Sequence, residues 1–346
     1  MLDVLTIGSA TRDAFFKGIN FLIVEDDRLI TKKGICLPLG AKITVPSVYF
    51  MTGGGATNTA VVFKKMGLKT GAIFRVGKDV SGETIKREMI KEGIELHLVQ
   101  EDRDKPTAYS VILLTDFGER TILNYKGANE FFSSKEVPVK KINARWLFLG
   151  SLGKNPKNLE FFLGLKKRQG IKMAINPGKY ELSFLKNYPQ FLSLFDIFIC
   201  NQEEASYLSD VDYLKEGLIF QKLDSLINGI VVMTKGKKGV SVSDGQYLYS
   251  ARIVNYRKFI KKPLKVEKDL KQPDATGAGD TFAATFTSFL IKKNVINEKN
   301  IEEAMRLALI NSSSVVNFLG AKTGILDWKN IQKNKLNQIK IKKIKL

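Results

Sequence analysis

Residues 274–286 read DATGAGDTFAATF, and they combine an anion cradle with a base. A Gly277-Ala278-Gly279 turn runs into Asp280, and Phe282, Phe286, Phe289 and Leu290 follow at spacings of four, three and one. That spacing predicts one apolar helical face, so the small residues stand at a helix start. Unpaired backbone N–H groups and the positive end of the helix dipole attract an anion there. Glycine lets backbone approach a phosphate where a Cβ would block it. A carboxylate beside such a cradle either merely stabilises the first turn of the helix or takes the proton of an attacking hydroxyl. Two familiar phosphate loops are excluded. The third glycine of GxGxxG falls on Phe282, and no GxxxxGK[ST] occurs in the chain.

The elements that must position these residues can be read outward from them. Asp3–Ile7 is a short apolar run ending in Gly8-Ser9, as expected of a buried parallel strand leading into a site. Residues 15–50 carry short alternating runs broken by charged turns, the pattern of antiparallel ribbons. From Gly53 the pattern becomes helix (Thr57–Met66), strand (Gly71–Val76) and helix (Gly82–Glu92), the helices stopped by Gly67 and Gly93. Residues 107–126 return to ribbon around Asp116-Phe117-Gly118-Glu119. Beyond 140, apolar runs at Trp146–Leu149, Met173–Ile175, Ile197–Cys200 and Ile230–Met233 alternate with helical stretches.

This alternation predicts an α/β chain with a doubly wound, mostly parallel sheet and helices on both faces, plus a small β-sheet lid. The expected division is 1–14, 51–106 and 127–330 for the core, 15–50 and 107–126 for the lid, and 331–346 for a basic C-terminal tail. Ligands of such sheets sit beyond the carboxyl ends of the strands. Those ends are followed by Gly8-Ser9 and Asp13, by Asn201 and Glu204, and by Thr234-Lys235-Gly236, while Gly53-Gly54-Gly55-Ala56-Thr57-Asn58 follows the first ribbon.

Composition bounds the chemistry. The chain has 346 residues, 44% of them hydrophobic, enough for a substantial core. Cys36 and Cys200 lack metal-ligand spacing and suggest a reducing, cytoplasmic compartment. No signal peptide or membrane-length apolar run is expected. His97 is the single histidine, which pushes acid/base work onto carboxylates. The net charge of +20 is spread largely over scattered lysines, with dense runs at 257–271 and 333–346. It favours general attraction of phosphates over a nucleic-acid surface.

Taken in order, these motifs resemble the ribokinase-like (PfkB) carbohydrate and nucleoside kinase family over roughly residues 3–328. DATGAGD at 274–280 and GGGATNTA at 53–60 are similar to its two signatures, Asn201-Gln202-Glu203-Glu204 to its NxxE motif, and Gly77-Lys78-Asp79 with Gly82 and Gly127-Ala128-Asn129 to further pieces. The resemblance implies an ATP-dependent kinase of a small sugar, with Asp280 as base and Gly277, Ala278 and Gly279 as the anion hole. It further implies Asp13, Gly54 and Asn58 for substrate, and Thr234, Gly236 and Asn201 for the nucleotide. Glu204, with Asn201, would hold Mg²⁺ mainly through water, and Asp274, Thr276 and Gly320 match positions that bind a monovalent cation (K⁺) in some members. A homodimer through the lid, a small-molecule substrate, no nucleic acid and no membrane complete the implied picture.

Two departures stand within the signature, Ala275 and Thr285, and the strand end Gly150-Ser151 offers no charged substrate contact. The long 15–50 insert leaves the sugar open. A nucleoside kinase of the same fold stays the nearest rival, since Phe15, Phe16, Tyr49, Phe50 and Tyr109 could stack on a base. A basic nucleic-acid binder is the rival from another class, though the phosphate-loop motifs speak against it. A catalytically dead regulator is disfavoured by the presence of Asp280, the anion hole and Glu204.

Overall fold

The structure is a computed structural model that describes residues 1–29, 32–115, 120–253, 275–332 and 336–346. Among them, nine strands form the main sheet. Leu2–Ile7 lies between Thr70–Ile73 and Ala144–Leu149, and Lys172–Ile175, Ile197–Asn201 and Ile230–Thr234 follow outward, all parallel. Val240–Ser243, Tyr247–Ala251 and Lys342–Lys345 extend that edge antiparallel.

Each central strand is apolar on both faces because each face meets helices. Val4, Phe148, Ala174 and Val232 share one core with helices Gly55–Lys65, Val80–Lys91, Ala278–Lys293 and Glu298–Val315. Their neighbours Leu5, Leu147, Met173 and Val231 share a second core with Lys157–Gln169, Lys179–Asn187, Gln202–Ser209 and Glu216–Asp224. The expected doubly wound architecture is therefore present. The helix stops at Gly67 and Gly93 take left-handed φ values of 82° and 73°.

A second sheet of four strands has the order Arg120–Tyr125, Ala108–Leu114, Thr11–Lys17, Ser47–Gly53. The two ribbon regions do pair, through Thr11–Lys17 running parallel to Ala108–Leu114. The middle of the first region behaves differently: Leu22–Glu25 and Lys33–Cys36 make a separate two-stranded sheet. The turn expected at Asp116–Glu119 lies outside the described residues, as do the lysine-rich run at 257–271 and Asp274.

Two further differences have local causes. The run expected as Gly71–Val76 is split, Thr70–Ile73 joining the main sheet and Arg75–Gly77 pairing with Gln100–Asp102. At the C-terminus, Lys342–Lys345 is a strand. Lys343 stacks over Tyr247 at 3.8 Å and pairs with Glu298 at 2.6 Å, which ties a lysine-rich segment to the sheet edge.

Thr285, the departure within the signature helix, has a structural role. Its buried hydroxyl accepts a bond from Asn311 Nδ2 at 2.9 Å, and Asn311 Oδ1 accepts from the Leu326 N–H at 2.8 Å. This joins the helices Ala278–Lys293 and Glu298–Val315 to the following loop. Asn311→Leu should lower unfolding stability by roughly 1–3 kcal/mol, because it strands buried polar partners. Urea denaturation measures this, and an unchanged midpoint would show that the bonds are dispensable.

Candidate active site

Two helices begin at one place. Ala278–Lys293 starts from Gly277, which has φ 73° and gives the helix no side-chain cap, so no side chain takes up the first-turn amides, and the Ala278 N–H donates to the Ala275 carbonyl at 3.3 Å. A Cβ on Gly277 would lie 2.4 Å from the Cβ of Ala321, whereas one on Gly279 would meet nothing within 4 Å. The loop is thus pinned at Gly277 and open at Gly279.

Helix Gly55–Lys65 starts beside it. Gly54 has φ 99°, and a Cβ there would lie 2.5 Å from the Ser9 carbonyl oxygen. On Gly53 a Cβ would lie 2.1 Å from Asp13 Oδ2. Only glycine lets this turn approach the first strand and Asp13 so closely. The Gly55 N–H donates to Ser9 Oγ at 3.0 Å. From the next turn Asn58 Nδ2 donates to Asp280 Oδ2 at 2.8 Å, joining residues 222 apart in sequence. Asn58 Oδ1 is buried and has no hydrogen-bond partner, an acceptor left for a ligand donor.

Asp13 is buried on strand Thr11–Lys17, level with Ser110 on the adjacent strand. Burial raises its pKa from the ordinary aspartate value, opposed by bonds from the Ser110 and Thr11 hydroxyls and by the charges of Lys322 and Arg12. Burial raises Asp280 likewise, opposed by the Asn58 bond and by Lys322. Lys322 was not singled out by any motif. Its ammonium donates to Thr52 Oγ1 and pairs with Glu88 Oε1 at 3.2 Å.

The parallel strand ends bring further residues to this edge. Asn201 and Thr234 end adjacent strands in register, and Gly236 follows with open space around it. Asn201 and Glu204 form a capping box. Glu204 Oε2 accepts from the Asn201 N–H and Asn201 Oδ1 from the Glu204 N–H, both at 2.8 Å. Burial raises the Glu204 pKa, opposed by that N–H, while Glu203 adds repulsion.

A hard divalent cation fits this environment. It would relieve the repulsion, and one carboxylate with several waters is an ordinary magnesium ligand set. Among the described residues no cluster of three His, Cys, Asp or Glu side chains forms an all-protein cage. Thr276 and Gly320 flank the contact of Gly277 with Ala321. Of the aromatics, Phe15 is fully buried in the second sheet's own core with Ile112 and Leu319, with Tyr49 packed on it, and Phe50 is exposed with Arg12 over its ring.

A model of the pfkB family of carbohydrate kinases matches residues 23–328. A ribokinase of Haemophilus influenzae is 27% identical over 293 residues, 83% of this chain and 88% of that protein. A nucleoside kinase of Methanothermobacter thermautotrophicus is 26% identical, covering 80% of this chain and 81% of that protein. The structure of Arabidopsis thaliana ribokinase complexed with ribose and ATP superimposes with a TM-score of 0.73 at 22% identity, over 98% of this chain and 99% of that one. The fold is thus ribokinase-like.

The raised pKa of Asp280 has a thermodynamic sign. Between the unfolded and folded pKa values the native state holds more protons than the unfolded state, so stability falls as pH rises through that window. Asp280→Asn, which keeps an acceptor for Asn58, should escape this loss. Its thermal stability relative to wild type should grow from pH 4 to pH 7; a difference independent of pH would contradict the assigned burial effect.

Proposed function

This chain belongs to the pfkB family of carbohydrate kinases and is a phosphotransferase acting on an alcohol group, and we propose on that premise that Asp280 is the base of ATP-dependent transfer to a small sugar. The single observation carrying this reading is the Asn58–Asp280 bond, which holds a carboxylate between two helix starts, beside buried Asp13 and the unpaired Asn58 Oδ1.

Asp13, Gly54 and Asn58 bind the acceptor in this reading. Asp13 accepts its hydroxyls, and Asn58 Oδ1 takes one more. The reacting hydroxyl gives its proton to Asp280 as its oxygen bonds to the γ-phosphorus, and the bond to the ADP oxygen breaks. The amides of Gly277, Ala278 and Gly279 stabilise charge on the moving phosphoryl group without reorganising. Asn201, Thr234 and Gly236 would serve the nucleotide, and Glu204, with Asn201, would hold Mg²⁺ mainly through water. Bound Mg²⁺ supplies charge neutralisation on the phosphates. Thr276 and Gly320, with Asp274, are proposed for a monovalent cation.

The four-stranded sheet serves as a lid that keeps water from the γ-phosphate. Its exposed Val48, Phe50, Ile122, Leu123 and Tyr125 suit contact with a second copy, as a homodimer through the lid. Free Cys36 and Cys200 fit a cytoplasmic setting, and no helix among the described residues is long and apolar enough to cross a membrane.

Phe15 is fully buried against Ile112 and Leu319 and presents no free face for a nucleobase, which favours a sugar. The similarity to a nucleoside kinase keeps a nucleoside acceptor as the second reading. ADP release with ribose, fructose, 2-keto-3-deoxygluconate, adenosine, guanosine or cytidine separates them. Turnover with a free sugar is expected; turnover with nucleosides alone would replace the first reading by the second, and none at all would remove both.

Asp280→Asn should lower kcat by about 10²–10⁴ while ATP binding, followed by calorimetry, persists. Wild-type turnover by this variant would sink the base assignment. Glu204→Gln should shift the magnesium titration of activity to higher concentration with acceptor affinity kept. An unchanged titration would remove Glu204 from the ion's surroundings.

A further inference from the structure

Of the 55 lysines and arginines in this chain, Lys322 sits where a cation is costly. Its side chain is 11% exposed, and lysine is seldom so buried without a partner. The ammonium reaches Thr52 Oγ1 on the second sheet and Glu88 Oε1 on helix Val80–Lys91. Both of its backbone surroundings belong to the active site. The preceding Ala321 lies against Gly277 of the cradle, and Thr52 precedes Gly53, which abuts Asp13.

The charges around it are unbalanced. Burial lowers the Lys322 pKa, opposed by Glu88 and then by the charges of Asp13 and Glu92, which favour the ammonium. Asp13 faces Arg12 and Lys322, together with the Thr11 and Ser110 hydroxyls. Asp280 faces Lys322 and the Asn58 amide. Burial holds each carboxylate toward its neutral form, and the nearby charge of Lys322 favours the ionised form of both. The Glu88 side chain is 35% exposed, so solvent screens part of its pairing with the ammonium.

We propose that Lys322 is a positioning residue of the transfer reaction, whose ammonium, fixed between Thr52 and Glu88, is the countercharge that lets Asp13 and Asp280 be anionic together. This rests on the reading of Asp280 as base and Asp13 as acceptor ligand. Asp13 accepts hydroxyls more strongly when ionised and Asp280 must be ionised to take a proton, and one shared cation serves both. It also links the second sheet to the core, since Thr52 moves with the strand Ser47–Gly53 while Glu88 and Lys322 belong to the core.

The test uses the whole protein without ligands. Aspartate ¹³C-carboxyl resonances are titrated in wild type, Lys322→Met and Lys322→Arg, with the Asp280 signal identified by its loss in Asp280→Asn. The Asp280 midpoint should rise by about 1–3 pH units in Lys322→Met and return toward wild type in Lys322→Arg. With ATP and D-ribose, the acidic limb of kcat should move upward by a similar interval.

A Lys322→Met protein that is folded but has an unmoved Asp280 midpoint overturns the proposal, as does an activity loss equal at every pH. Should Lys322→Met not fold, Thr52→Val releases the ammonium from its anchor. A smaller upward shift then supports the proposal and an unmoved midpoint overturns it. Because the titration needs no turnover, it can fail while Asp280→Asn still abolishes transfer. The reverse outcome, an active Asp280→Asn protein, would fault the base assignment instead.

Discussion

The starts of helices Gly55–Lys65 and Ala278–Lys293 converge on one point, and the bond from Asn58 to Asp280 fixes their relation. Neither helix could begin there with ordinary residues. Gly54 lies against the Ser9–Ala10 backbone and Gly277 against Ala321, both at positive φ. The parallel sheet brings the first strand to this place, and the packing of the two helices on one face of that sheet keeps it there. The first turn of the second helix and the Asp280 carboxylate are thereby held at one place, the arrangement the proposed transfer would use.

The same convergence has an electrostatic cost. Asp13 and Asp280 are both pushed toward their neutral forms by burial, and the compensating groups are few: hydroxyls, one amide and the ammonium of Lys322. The proposed transfer needs the carboxylates charged, whereas burial favours them neutral. This is the ordinary opposition between an active site and its fold, located here in two side chains. The Asn201–Glu204 pair shows the other solution, in which one carboxylate both caps a helix and stays available at its start.

Much of this was legible in the sequence for identifiable reasons. Phe282, Phe286, Phe289 and Leu290 follow a helical period because all four face the core, and each is buried. The parallel strands were visible as short apolar runs because both of their faces are covered. Lys322 was not legible: a lysine among many signals nothing until the fold places it beside Thr52 and Glu88. The strand Lys342–Lys345 was hidden by its charge, since it is held by backbone pairing with Tyr247–Ala251 and by Lys343 on Tyr247 and Glu298, and its sequence shows no apolar alternation. The spacing of Asn201 and Glu204 carried two meanings, and its capping-box reading needed only the helix that follows.

What Asp280 touches when both substrates are bound decides whether it is the base of the transfer. A crystal structure with D-ribose and a non-hydrolysable ATP analogue measures this directly. It should place one acceptor hydroxyl about 2.6–3.2 Å from the Asp280 carboxylate, with the terminal phosphate at the Gly277–Gly279 amides. An acceptor bound away from Asp280, or a terminal phosphate elsewhere than that loop, would contradict it.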